Sequence, residues 1–284
     1  MNFLRPDWCG LTWVPFVPFA AAGGFRGFPV APGLYKIRVA DQPRLAYIGQ
    51  TGRDLRERVG SLRLHALGEQ FPFADPHTAA QGLWSYRHAD GLEFECSVTP
   101  MATDQPTRLA AECHLIWSYR REAGCSPLCS FARLHHHYRR SGPSKSRRRG
   151  GVLDVKERPP CAVCSEAALQ LVGGPTDPNW MGLEWSSVTP LIPRFAAGAP
   201  AAPGVYRIVD MAAGQVIYFG ESCDLRDRLG THCASHKKLP VVFSWCALPA
   251  LVEKWQRVEV ENDLVAGFFE VTRGAPRLQF GAPL

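Results

Sequence analysis

One pattern occurs twice in this chain. Gly33-Leu34-Tyr35 is followed by Tyr47-Ile48-Gly49, and Gly204-Val205-Tyr206 by Tyr218-Phe219-Gly220. The tyrosines stand 12 positions apart in each copy, and the copies are offset by 171 residues (206 − 35). Matched residues at matched spacing mark a duplication, so the chain must fold as two related halves. The likeness continues on both sides. Gly10-Leu11-Thr12-Trp13 answers Gly182-Leu183-Glu184-Trp185, Pro32 answers Pro203, and Asp54-Leu55-Arg56-Glu57-Arg58 answers Asp224-Leu225-Arg226-Asp227-Arg228. Near the end of each copy a glutamate, Glu112 or Glu261, sits in an amphipathic helical pattern.

A chain of 284 residues accommodates two domains of roughly 110 to 140 residues with a core each. The boundaries expected are 1–133 for the first domain, 134–175 for a linker and 176–284 for the second. No apolar run approaches the roughly 20 residues of a membrane span. The apolar start lacks a basic leader and is broken by Pro15 and Pro18, which reads against a signal peptide. Ten cysteines without an export signal suggest a reducing compartment, and the cytoplasm is the expected location. The net charge is +6 and uneven: Arg133, Arg139, Arg140, Lys145, Arg147, Arg148 and Arg149 crowd between the copies. Interleaved with Ser, Gly and Pro, they read either as a mobile basic linker that contacts phosphates or as a solvated connector.

Tyr35 to Val39, a turn at Asp41-Gln42-Pro43, and Leu45 to Ile48 read as a β-hairpin, and Val205 to Val209 with Val216 to Phe219 repeat it. Asp54 and Asp224 are good N-caps for helices that place Arg58 and Arg228 one turn in. Third strands are expected at Leu92–Val98 and Val241–Cys246, and glutamate-bearing helices at Thr107–Ala123 and Val252–Thr272. A short turn between the first strands demands an antiparallel start, so the fold class expected is α+β.

These residues resemble the GIY-YIG nuclease family, and the resemblance covers roughly 32–131 and 203–280. It implies in each copy a small three-stranded antiparallel sheet flanked by helices. It also implies a phosphodiesterase, a magnesium- or manganese-dependent DNA endonuclease. The tyrosines that deprotonate and position the attacking water would be Tyr35 with Tyr47 and Tyr206 with Tyr218. Arg58 and Arg228 would contact the phosphate, and Glu112 and Glu261 would hold the metal. His232 follows the arginine as it commonly does in the family, whereas in the first copy only His65, further along, could stand in. The family's tail asparagine is replaced by Cys129-Ser130 in one copy and Gln279 in the other. Two sites on one chain would make a monomer sufficient to cut both strands of a duplex, in a restriction-type or mobile-element role. The alternatives are a repair or recombination nuclease with one active copy and a silent nucleic-acid-binding protein. Among the basic residues, Arg139, Arg140, Lys145, Arg147, Arg148 and Arg149 are the candidate nucleic-acid contacts.

Two further features stay open. Cys161-Ala162-Val163-Cys164 could share zinc with two ligands from Cys125, Cys129 and the His135-His136-His137 run, or hold free thiols in a turn. Asp75-Pro76-His77-Thr78 with Leu83-Trp84, an insertion of the first copy, reads as a substrate-facing loop or as a packed Trp over a polar loop.

Overall fold

The computed structural model describes residues 1–73, 78–142, 149–158, 165–235 and 240–281. Lys145, Arg147, Arg148, Cys161, Cys164 and Asp75 to His77 lie outside them. The protein is α+β, with antiparallel sheets. It divides into two compact units, Met1–Arg108 with Ser118–Ser165, and Leu109–Trp117 with Glu166–Leu284. Among the described residues no helix is long and apolar enough to cross a membrane.

The first copy runs β1 (Val17–Pro18), β2 (Gly33–Val39), β3 (Leu45–Thr51), α1 (Leu55–Leu67), α2 (Thr78–Asp90), β4 (Phe94–Pro100) and α3 (Gln105–Ala123). A short ribbon of β5 (Tyr138–Arg139) and β6 (Gly151–Val152) follows. The second copy comprises β7 (Thr189–Pro190), α4 (Pro193–Ala196), β8 (Gly204–Asp210), β9 (Gln215–Ser222), α5 (Leu225–Ser235), β10 (Val241–Ala247) and α6 (Lys254–Thr272). Strand orders are β1-β4-β2-β3 and β7-β10-β8-β9.

Each sheet therefore has four strands where three were expected. The additional ones, β1 and β7, are two residues long, too short to show a period of two, and end in proline. Proline donates nothing to a ladder, so these strands close a sheet edge. From Thr78 the insertion is a helix, α2, and Trp84 on it is buried with its indole N–H on the Gly68 carbonyl at 2.8 Å. Part of the expected mobile linker is held in place. Ser141 N–H bonds Gln81 Oε1 at 3.0 Å and His135 N–H bonds Ser85 Oγ at 3.0 Å, both acceptors lying on α2.

Alternation along β2 sends Tyr35, Ile37 and Val39 to a core built with Leu55, Val59 and Leu62 of α1, while Lys36 points to the other face. The second copy repeats this with Tyr206 and Ile208 packed with Leu225 and Leu229. Fine detail is duplicated too. Trp13 Nε1 donates to the Trp8 carbonyl and Trp185 Nε1 to the Trp180 carbonyl, each at 3.0 Å. Both hairpins shift register at one point, between Ile37 and Arg38 and between Ile208 and Val209.

On that opposite face each copy buries a cation beneath tryptophan. Lys36 Nζ lies 4.3 Å from the Trp13 ring centroid and 5.1 Å from that of Trp8, and donates to the Phe3 carbonyl at 2.8 Å. Arg207, its counterpart, lies 4.4 Å from Trp185 and donates to Ser244 Oγ at 2.7 Å. Such contacts offset only part of the cost of desolvating an ammonium. Burial accordingly pushes the Lys36 pKa down to about 8. A base whose folded pKa lies below its unfolded value penalises folding fully below the folded pKa, and the penalty fades as pH rises to the unfolded one. Stability of the native chain relative to Lys36→Met should therefore climb between about pH 8 and pH 10.5, by up to about 3 kcal/mol. Denaturant unfolding at stepped pH measures this, and a flat difference would show that the ammonium is not desolvated.

Candidate active site

The Asp-Leu-Arg-x-Arg segment divides its labour. Asp224 Oδ1 accepts from Asp227 N–H at 3.0 Å, capping α5, and Leu225 enters the core. Arg226 staples the helix to the incoming chain through the Ala199 carbonyl at 2.9 Å. Arg228 is thereby left one turn in, facing the sheet, with Nε 3.1 Å from Tyr206 Oη. His232 follows at i+4, on the same helix face, with Nε2 2.7 Å from that same Oη. The Tyr206 and Tyr218 rings lie 6.0 Å apart, and both rings flank His232, at 5.3 and 5.5 Å.

Gly220 makes this possible. In the β8–β9 register it stands opposite Tyr206, and a Cβ there would collide with the tyrosine ring. In the first copy a Cβ on Gly49 would fall 2.5 Å from the Tyr35 ring and 2.7 Å from Tyr47. The glycine that ends the second motif is therefore spatial in origin, since its backbone is ordinary strand.

Glu261 projects from α6 into the same unit and is half-buried. Gln279 positions it. The Gln279 amide bonds both the N–H and the carbonyl of Phe219, at 2.8 and 3.0 Å, and donates to Glu261 Oε1 at 3.3 Å. A second carboxylate, Glu221 on β9, is ion-paired with the buried Arg257 at 2.9 Å. Arg257 is fixed by the Leu251 and Val252 carbonyls at 2.8 and 2.7 Å and lies one turn before Glu261 on α6. Burial and the charge of Glu221 lift the Glu261 carboxyl to about pKa 7, against the pull of Arg228. Burial also drives Tyr206 far above the ordinary phenol value, a rise that the Arg228 hydrogen bond opposes but does not cancel. Tyr206 is a neutral phenol that accepts from Arg228 and shares a hydrogen bond with His232. Sequence reasoning missed Glu221, Arg257 and the anchoring of Gln279, because these depend on which strand end faces which helix turn.

In the first copy Tyr35 and Tyr47 are likewise paired at 6.0 Å, and Arg58 Nε is 3.4 Å from Tyr35 Oη. The helix position equivalent to His232 is Leu62 (232 − 170, the offset of Arg228 from Arg58), which is buried in the core. His65 lies on the last turn of α1 and is exposed. Cys129 N–H bonds the Ala46 carbonyl as Leu278 N–H bonds that of Ile217, so Ser130 takes the place of Gln279. The Ser130 hydroxyl is buried and meets no partner among the described residues. Glu112 lies on the stretch of α3, Leu109–Trp117, that falls in the second unit. Of the linker cations, Arg139 is exposed, Arg149 stacks on Phe73 at 4.5 Å, and the half-buried Arg140 lies within electrostatic reach of Tyr47.

No protein-family model matches this chain, and no solved structure matches it.

The raised Glu261 carboxyl has a measurable consequence. An acid whose folded pKa exceeds its unfolded value loses stability as pH rises between the two. Metal-free native protein should therefore lose stability relative to Glu261→Gln as pH rises from about 4.5 to about 7, and no further above. Thermal unfolding across pH 4 to 8 in about ten steps reads this directly. A pH-independent difference would mean that the carboxyl is well hydrated.

Proposed function

We propose that the protein is a divalent-metal-dependent DNA endonuclease of the GIY-YIG kind whose hydrolysis is carried out by the second copy. The observation that carries this reading is the Arg228–Tyr206–His232 chain, gathered in one unit with Glu261. The donor set suits magnesium or manganese. Glu261 and Glu221 offer hard oxygens, and the partly desolvated Glu261 carboxyl is a group that a divalent ion would hold in its ionised form. When bound, such an ion supplies neutralisation of charge developing on the phosphoryl oxygens and the leaving oxygen.

The protein groups supply the rest. Arg228, held against Tyr206, presents its permanent charge to a phosphate. A water placed between Tyr206 and Tyr218 gives a proton to Tyr206 Oη as the phenol passes its own to His232 Nε2. The phenol thus stays neutral and the imidazole carries the charge. This relay suits a tyrosine whose pKa is too high to serve as a free base. The hydroxide attacks phosphorus, the P–O bond to the leaving nucleotide breaks, and the departing oxygen takes a proton from solvent. Gln279 keeps Glu261 in place throughout.

The first copy keeps the tyrosine pair and the arginine but offers Leu62 and Ser130 where the second has His232 and Gln279. We assign it binding of the nucleic acid, with Arg139, Arg140 and Arg149 available for phosphates, so one strand is cut per encounter. Supercoiled plasmid with Mg²⁺ tests this. Glu261→Gln should abolish nicking by at least roughly a hundredfold, as should His232→Ala, while Glu112→Gln leaves it intact. If Glu112→Gln and Glu261→Gln each convert a linearising enzyme to a nicking one, both copies cut. If neither changes cleavage, the assignment of these glutamates fails.

A further inference from the structure

Outside the candidate active site, the described residues hold one group of side chains able to take a metal ion, His135, His136 and His137, whose donor atoms lie within 4.8 Å of one another. Consecutive residues in an extended segment point apart, so three imidazoles gathered on one point require a folded backbone. That backbone is pinned. His135 N–H bonds the buried Ser85 Oγ at 3.0 Å, the His135 carbonyl accepts from Tyr138 N–H at 2.9 Å, and the His137 carbonyl accepts from Leu153 N–H at 2.7 Å. The rings pack with centroids 4.3 to 4.4 Å apart. Asp90, at the end of α2, places Oδ1 3.3 Å from His135 Nε2.

We infer that His135, His136 and His137 form a binding site for a borderline transition-metal dication of the zinc class, with Asp90 orienting His135 from behind. Three imidazoles leave a fourth position for water or an exogenous ligand, and a carboxylate on the far nitrogen of a ligating histidine is the usual support for such a centre. With Nε2 held by Asp90, His135 ligates through Nδ1. That atom now makes only a 3.2 Å contact with His137 N–H, and the ion replaces it. Arg158 lies within electrostatic reach of His137. Asp90 is the facing anion and Arg158 the facing cation, which favours a site of modest affinity. The donor set also separates this centre from the hard-oxygen site of Glu261. Once filled, it would tie the 135–137 loop to α2.

The test uses full-length, tag-free protein carrying Glu112→Gln and Glu261→Gln, stripped with chelator and titrated with Co²⁺ by absorption spectroscopy, then with Zn²⁺ in competition. One equivalent of Co²⁺ is expected, with a spectrum free of thiolate charge transfer, and Zn²⁺ should displace it and raise the melting temperature. Adding His136→Ala with His137→Ala, both partly exposed, should abolish binding and the thermal shift without lowering the melting temperature of the metal-free protein. Asp90→Asn should weaken binding about 10- to 100-fold. Absence of Co²⁺ binding overturns the proposal. So does binding that survives the double histidine change, and so does a thiolate band, which would place the ion on cysteine.

Discussion

The packing of one tyrosine ring over one glycine, across a hairpin, governs the candidate active site. In the β8–β9 register Tyr206 faces Gly220, and the ring occupies the volume a side chain would need there. The ring's Cζ and hydroxyl lie over Gly220, and α5 reaches that hydroxyl from its own face. Arg228 and His232, one turn apart, then meet a single oxygen. A bulkier residue at 220 would lift the ring, and neither contact would survive even a 1 Å displacement, given how steeply hydrogen bonds weaken outside about 2.7–3.2 Å. Helix register, strand register and residue volume are thus coupled at one point, and the first copy obeys the same coupling through Tyr35 and Gly49.

What duplication preserved and what it released differ in kind. Backbone-determining features are kept: the register shift after Ile37 and Ile208, the N-caps Asp54 and Asp224, the indole bonds of Trp13 and Trp185, and the stapling arginines Arg56 and Arg226. Side chains around the tyrosine hydroxyl and the second-copy glutamate diverge. Arg108 bonds the neutral Gln50 at 3.4 Å where Arg257 pairs with the anionic Glu221 at 2.9 Å. Leu62 fills the place of His232, and Ser130 that of Gln279. Each change in the first copy removes a proton carrier, a negative charge or a positioning amide while leaving the packing intact.

The legible part of the fold was the part set by local chemistry. The hairpins, caps and glutamate-bearing helices follow from alternation, Asp at the N-cap and apolar spacing, and their ends fall within three residues of where they were expected. The edge strands β1 and β7 were not legible, because two residues carry no period and their pairing partners, Cys96 and Phe243 among them, are far away in sequence. Helix α2 was hidden by the turn chemistry of Asp75-Pro76 just before it and by a sequence whose Gly82, Ser85 and Trp84 are poor helix formers. In the site, Tyr, Arg and Glu could be named from their order in the chain. Glu221 and Arg257 could not, since one ends a strand and the other starts a helix 36 residues later.

The second copy holds its acid at a cost that the fold alone does not explain. Glu261 sits beside Glu221 in a half-buried place where both burial and like charge oppose ionisation, and an amide, Gln279, is spent on keeping it oriented. Packing would be better served by a neutral residue, as buried ionisable groups seldom repay their desolvation. Arg257 pairs with Glu221, while burial and the Glu221 charge leave the Glu261 carboxyl near pKa 7. A site organised for stability would complete the pairing. The proposed cation site would instead leave it incomplete and stiffen the surroundings, which here hold the fixed Arg257, the strand-bound Gln279 and the Tyr206–His232 hydrogen bond.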